Sequence, residues 1–182
     1  PTLHMLTSDV QSLPYPQSEI DEIKVEMIGN FQIEIEKKEW DSKETSLDFY
    51  FNELIRLRGQ DLEETYELYQ HYWKNKFFQL HKNEEELNKQ FIDIYGLQDE
   101  LTPVVALKDI TILQEELSKN DMVALEDDFR ANGAKAIELP IDKGEVISQF
   151  ISYAIGLFMG RYHLDKPGLN IAHPNPSEEE LS

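Results

Sequence analysis

The most regular hydrophobic pattern lies between Asp61 and Tyr95, where Leu62, Tyr66, Tyr69, Trp73, Phe77, Leu80, Leu87, Phe91 and Ile94 recur every three or four residues and only Glu84 breaks the seam. That is the period of one face of an α-helix. Gly96 follows where a left-handed C-cap belongs. One helix of about 35 residues is roughly 50 Å long at 1.5 Å per residue, and such an arm cannot bury its seam alone. Phe49 to Leu57, Val104 to Leu125 and a second copy of the chain each fit as its partner.

Elsewhere the pattern is shorter. Leu3 to Leu6 reads as a short strand, and the prolines at 14 and 16 forbid a helix over Asp9 to Pro16. Ser18 caps a short helix through about Ile28, with Ile20, Ile23 and Met27 at helical spacing. Gly29-Asn30 ends it, and the alternation of Phe31, Ile33 and Ile35 fits a short strand or a second helix. Trp40 to Phe49 reads as a loop leading into a helix that ends near Gly59. Ile110, Leu113, Leu117, Met122, Leu125 and Phe129 suggest two short helices joined near Asn120-Asp121, and Ala136 to Pro140 a connector. A last helix, about Lys143 to Tyr162, packs Val146, Phe150, Ala154, Leu157, Phe158 and Arg161, while Gly156 and Gly160 admit a close backbone neighbour.

The fold class is therefore mainly α, a helical bundle built on one long helix or helical hairpin (about 61–95) with at most a few short strands. Residues 1–16 read as the exit segment of an upstream domain, 17–172 as a helical connector domain and 173–182 as a flexible acidic tail. The two ends, Pro1-Thr2-Leu3-His4 and the Glu-rich Ser177 to Ser182, give the chain the look of a piece of a longer polypeptide. No internal repeat is evident.

Composition narrows the function. With 40% apolar residues the 182-residue chain can bury one core. Its formal charge of −19 opposes a nucleic-acid backbone. The charge is uneven: residues 1–80 hold 8 Lys/Arg against 16 Asp/Glu, 81–132 hold 5 against 13, and 133–172 hold 4 against 4. Any contact with DNA belongs near the C-terminal stretch, where Arg161 and Lys166 are the candidates beside their simpler role as helix-end charges. Cysteine is absent, which removes disulfides and thiolate chemistry and agrees with a reducing, cytoplasmic setting. The most apolar stretch, Val146 to Met159, falls short of the roughly 20 residues that span a bilayer.

No phosphate-cradling Gly-rich loop, His-Glu-x-x-His or nucleophile elbow is present. His71 and His81 stand ten apart, off the spacing of a ligand pair. Glu84-Glu85-Glu86 and Glu126-Asp127-Asp128 read as solvated helix faces rather than metal or acid/base sites. The stripe Tyr66, Tyr69, Trp73, Phe77 has rings that could stack on nucleobases, but its spacing is that of a core. These readings leave catalytic, cofactor and metal residues unassigned.

Several ordered stretches carry a resemblance: Trp40-Asp41-Ser42-Lys43-Glu44-Thr45-Ser46-Leu47-Asp48-Phe49; Asn83 to Asn88 leading to Phe91-Ile92-Asp93-Ile94-Tyr95-Gly96-Leu97 and on to Pro103; Phe150 to Gly156; Gly160-Arg161-Tyr162; and Leu164 to Leu169. Through most of its length the chain resembles the PglX-type adenine-specific DNA methyltransferases of bacterial BREX phage-defence systems. It is more loosely similar to the fused restriction and methylation enzymes of type IIG. The family signature falls on Trp40, Asp41, Glu44, Thr45, Phe49, Tyr95, Gly96, Leu97, Gly156, Gly160, Arg161 and Tyr162.

The resemblance implies a helical linker downstream of the methyltransferase core, where a segment like Asp9 to Pro14 ends that core and the target-recognition part follows. The family's cofactor loop and its Asn/Asp-Pro-Pro-Tyr/Phe motif are not in this sequence, and Pro174-Asn175-Pro176 has no aromatic to replace the latter. S-adenosylmethionine is the cofactor the resemblance implies for the parent, and DNA its partner, with an adenine extruded from the duplex. Two other functions fit the residues: an interaction module that docks a defence-complex subunit or self-associates through the long seam, and an acidic mimic of DNA.

Overall fold

Residues 22–170 are described here from a computed structural model. The exit segment, the Ser18 cap and the acidic tail lie outside them. The chain is mainly helical, in the order α1 (Glu22–Asp41), α2 (Glu53–Leu57), α3 (Leu62–Tyr95), a single 3-10 turn (Leu107–Asp109), α4 (Lys119–Asn132) and α5 (Lys143–Phe158). A small antiparallel hairpin follows, β1 (Tyr162–His163) with β2 (Lys166–Leu169), pairing Tyr162 with Leu169 and His163 with Lys166 around an irregularity in register.

The long helix is the axis. Asp61 caps its start, its carboxylate accepting from the Glu64 amide at 2.9 Å. Gly96, at φ 64°, closes its end, with the Gly96 amide donating to the Asp93 carbonyl and the Leu97 amide to that of Ile92. The seam is closed by this chain: Tyr66, Tyr69, Trp73, Phe77 and Leu80 are all buried in a core shared with Ile35 of α1, Leu54 of α2 and Leu107, Ile110 and Leu113 of the following segment. Further along, Leu87, Phe91 and Ile94 are half-buried and Ile92 takes the buried place. The aromatic stripe is core, with no ring left free to stack a base.

Gly29-Asn30 does not end α1. The helix runs through it because Phe31 and Ile35, four apart, fall on one face and pack against α3. Ile33, between them, is 63% exposed, so the alternation that suggested a strand is a helix seen from both sides. The cost of a helical glycine, about 1 kcal/mol, is offset by this packing; Lys24 also pairs with Glu86 of α3 at 2.6 Å on the surface.

The pair of helices expected to meet at Asn120-Asp121 is a single helix, α4, preceded by turns. The β-branched run Ile110-Thr111-Ile112 disfavours helix. Leu113 then takes φ 59°, in the left-handed region, with its side chain fully buried. Arg130 of α4 ties this region to α3, donating to Glu126 at 2.7 Å, Glu85 at 2.8 Å and the Val105 carbonyl at 2.6 Å. Glu85 and Glu86 thus join α3 to α4 and α1 rather than only facing water. The connector contributes buried Ile137, Leu139 and Ile141, and Tyr66 donates to the Ile141 carbonyl at 2.9 Å.

The last helix is shorter than its pattern. It ends at Phe158, Gly160 turns the chain at φ 75°, and the Arg161 amide closes on the Gly156 carbonyl at 2.8 Å. Tyr162 belongs to the hairpin. Phe158 is 92% exposed and Arg161 is exposed, so neither packs as the spacing suggested. The buried ring is Tyr153, one helical turn before Gly156.

Candidate functional site

Residues 40–49 form a folded-back turn between α1 and α2. Asp41 organises it: its carboxylate accepts from Ser46 Oγ at 3.1 Å and Lys37 Nζ at 2.7 Å, and its carbonyl accepts from the Tyr50 amide at 3.3 Å. The Ser46 amide donates to the Lys43 carbonyl at 2.9 Å. Trp40 and Leu47 stay outside, the latter fully exposed, while Phe49 turns in.

The turn points two side chains inward. Lys43 reaches Glu116, whose side chain is wholly buried, and lies 3.4 Å from Glu39 and 3.7 Å from Glu115. Gln149 of α5 donates to Glu115 at 3.2 Å and Glu116 at 2.9 Å. Burial works to lower the Lys43 pKa, but the charges of Glu116, Glu39 and Glu115 outweigh it and hold it above the usual lysine value. Burial likewise pushes Glu39 up, only partly offset by Lys43. A lysine held in this way stays protonated and is not a nucleophile.

Glu44 faces the other way, toward Tyr153 and Tyr162. Those rings stack with centroids 5.1 Å apart, and Phe49 covers them at 5.8 and 5.2 Å. Burial, with the Glu44 carboxylate accepting a hydrogen bond, pushes Tyr162 up to about 12. One Glu44 oxygen and the Tyr153 hydroxyl are buried without a hydrogen-bond partner among the described residues. The hairpin is pinned to the same place: the Gly168 amide donates to the Tyr50 carbonyl at 3.0 Å, and a Cβ at Gly168 would lie 3.1 Å from the Phe49 carbonyl oxygen. Between the turn and α5 lies a polar cleft of about 220 Å³ bounded by Lys43, Glu44, Thr45, Glu115, Ser148 and Ser152.

Two measurable consequences follow. A methyl group at Gly156 would sit 2.5 Å from two carbons of the Tyr162 ring, which is itself hemmed by Phe49 and Tyr153. Gly156→Ala should therefore lower the unfolding free energy by about 1–3 kcal/mol in urea denaturation, even though alanine is the better helix former. A stabilised variant would show that the ring is not seated there.

The second concerns alkali. An unfolded tyrosine ionises near pH 10. Because the folded Tyr162 holds its proton more tightly, its contribution to stability is complete below pH 10 and is lost as pH rises from there through about 12. A phenolate absorbance titration should show Tyr162 ionising late, and Glu44→Gln should bring it earlier.

Seven of the signature residues expected from sequence meet at this junction: Asp41, Glu44, Thr45, Phe49, Gly156, Arg161 and Tyr162. Trp40 and Gly160 stand at its edges, and what approaches Gly156 is a ring rather than a helix backbone. Tyr95, Gly96 and Leu97 form the cap of α3 instead. Lys38 of α1 lies over the Tyr72 ring, so that cap is roughly 35 Å along the helix from the turn, at 1.5 Å per residue. Arg161 lies immediately before β1 and Lys166 opens β2, both exposed. Sequence reasoning missed Glu116, Gln149 and Tyr153. Only Tyr153 had a signal, its place seven residues after Val146 on the buried face of α5.

Among the described residues no group of His, Asp and Glu is placed to hold a metal, and no helix is long and apolar enough to cross a membrane. The arrangement is a structural junction of a helical domain: an ion cluster and an aromatic cluster, back to back, locking α1, α5 and the hairpin together.

This chain is a homologue of one stretch of the adenine-specific methyltransferases PglX and BrxX. It is 34% identical over 177 residues to adenine-specific methyltransferase PglX of Lacticaseibacillus casei (strain Zhang), and 31% identical over 173 residues to adenine-specific methyltransferase BrxX of Escherichia coli O9:H4 (strain HS). These alignments take in 94% and 95% of this chain but 12% and 13% of the relatives' length. No family model and no solved structure matches.

Proposed function

We propose that this chain is the helical connector of a site-specific adenine DNA methyltransferase of the BREX type, holding the target-recognition part at a fixed position relative to the catalytic core. The observation that carries this reading is the alignment, which runs along nearly all of this chain and about an eighth of two methyltransferases. The fold supports it. A 34-residue helix capped at both ends and packed along its flank by α1 is a stiff spacer of about 50 Å, and seven of the twelve signature residues make a joint at one end of that flank.

In this reading the chemistry of methyl transfer, from S-adenosylmethionine to an extruded adenine, belongs to another part of a cytoplasmic enzyme. The connector's part is geometric. Arg161 and Lys166 are its candidate phosphate contacts, in the one stretch where acidic and basic residues balance. If they touch phosphate, each alanine substitution should weaken binding equally across DNA sequences and reduce the salt slope by about 1.

The test replaces residues 22–170 of the intact enzyme with a flexible Gly-Ser linker. S-adenosylmethionine binding should persist while target-site methylation is lost. Methylation that survives the flexible linker would overturn the positioning role, and loss of cofactor binding would place the segment in the catalytic core instead.

A further inference from the structure

The outward face of α5 is unlike every other exposed helix face described. From Val146 to Gly160 there is no charged residue, in a chain that is 29% charged. Its buried side is formed by Val146, Tyr153 and Gly156. Opposite them, Ser148, Ile151, Ser152, Ile155, Phe158 and Met159 fall within an arc of about 120° at 100° per residue, and all are exposed, Ile151 and Ile155 at 52%, Met159 at 75% and Phe158 at 92%.

A solvated helix face normally carries charge, as α3 does with Glu63 and Glu67; a wholly uncharged one is the mark of a contact surface. Its chemistry excludes two occupants. Nucleic acid needs cations, and this face has none. A helix lying in a membrane surface needs a basic polar side in water, and here the side opposite the stripe is buried in the apolar core.

Size decides between a separate copy and a tethered neighbour. The twelve positions from Ser148 to Met159 at 1.5 Å each, with a width of about 10 Å, give roughly 180 Å². A standard stable interface buries about 800 Å² on each partner. The stripe is too small to hold a free partner, whereas a domain on the same polypeptide meets it at an effective concentration in the millimolar range. The two relatives have more than four-fifths of their length outside the stretch that matches this chain, so such a neighbour is at hand.

We infer that the Ile151–Ile155–Phe158 face of α5 docks an apolar surface of another domain of the same polypeptide, fixing the connector to that domain. This rests on the reading of the chain as part of a longer methyltransferase.

The test uses the intact polypeptide with Ile155 replaced by the photo-cross-linker benzoylphenylalanine, and a control with the same group in place of exposed Glu67. Illumination should link position 155 to residues outside 1–182 of the same molecule, at least tenfold above the control, with a yield unchanged by tenfold dilution. Phe158→Asp, at a position too exposed to disturb the core, should cut that yield several-fold. A yield no higher than the control, one that falls on dilution, or a link to a separate protein or to DNA would each overturn the inference. The linker replacement above reads a different quantity. Loss of the positioning role with the cross-link intact would remove the functional reading and leave the docking face standing.

Discussion

Replacing Lys43 with methionine should lower the unfolding free energy by about 3–5 kcal/mol, the cost of leaving a buried carboxylate without its cation. Lys43 is the cation that faces Glu116, whose side chain has no exposure, and it also lies against Glu39 and Glu115. One Glu116 oxygen has no hydrogen-bond partner among the described residues even with Lys43 present. Methionine keeps most of the apolar stem and removes the ammonium group, with its charge and its hydrogen bond to Glu116. Urea denaturation of Lys43→Met, Glu116→Leu and the double variant separates charge from packing: the double variant should recover most of the loss, because an apolar pair of similar volume has no desolvation cost to offset.

The pH dependence supplies an independent reading. Glu39 is already held above the ordinary carboxylate value by burial, with Lys43 working against that rise. Without Lys43 the rise grows. A carboxyl whose folded pKa is raised loses stability as pH rises through the interval between its unfolded and folded values. The Lys43→Met protein should therefore gain stability as pH falls from neutral toward the ordinary carboxylate range, more steeply than the parent chain. A flat profile would mean that the carboxylates find water or another cation when Lys43 is removed.

How far the sequence reveals this molecule depends on the range of the interaction that decides each element. The long helix was legible because its signals are local and repeated: the seam from Tyr66 to Leu80, Asp61 before it and Gly96 after it. The end of α5 was not. Spacing carries the helix on to Tyr162, but Gly160 and the pairing of Tyr162 with Leu169 turn the chain out of it. That competition involves residues the helical period does not contain. In α1 the local signal pointed the wrong way, since Gly29-Asn30 reads as a stop and only packing on α3 carries the helix through.

The junction shows the same division. Resemblance singled out Asp41, Glu44, Phe49, Gly156 and Tyr162, and the structure brings them together; composition and spacing gave no reason for them to meet. Glu116 was invisible. In Gln114-Glu115-Glu116 it reads as surface, and only the long-range approach of Lys43, 73 positions earlier, makes its burial possible. Charged residues are the hardest to place from sequence, because the partner that permits their burial is remote in the chain.

The other large effect lies in the core of the long helix. Trp73→Ala should cost about 3–5 kcal/mol, the range for deleting a buried aromatic side chain and leaving part of its volume empty. Trp73 is 1% exposed and meets Tyr72 edge-on at 5.2 Å and Tyr69 at 6.4 Å, in the same core as Ile35 and Leu54. Its indole Nε1 is buried with no hydrogen-bond partner among the described residues. Trp73→Phe therefore loses some packing but also removes an unsatisfied donor, which by itself costs about 1–3 kcal/mol. The phenylalanine variant should accordingly lie much closer to the parent than the alanine one. Circular dichroism in urea measures both. Fluorescence adds a check on burial, since the chain's other tryptophan, Trp40, is 58% exposed: removing Trp73 should leave a spectrum shifted toward that of indole in water. If the alanine variant lost less than about 1 kcal/mol, well below the range for a buried aromatic, the seam of α3 would not be closed by its own chain. The long helix would then need a second molecule, and the rigid spacer would give way to an assembly surface.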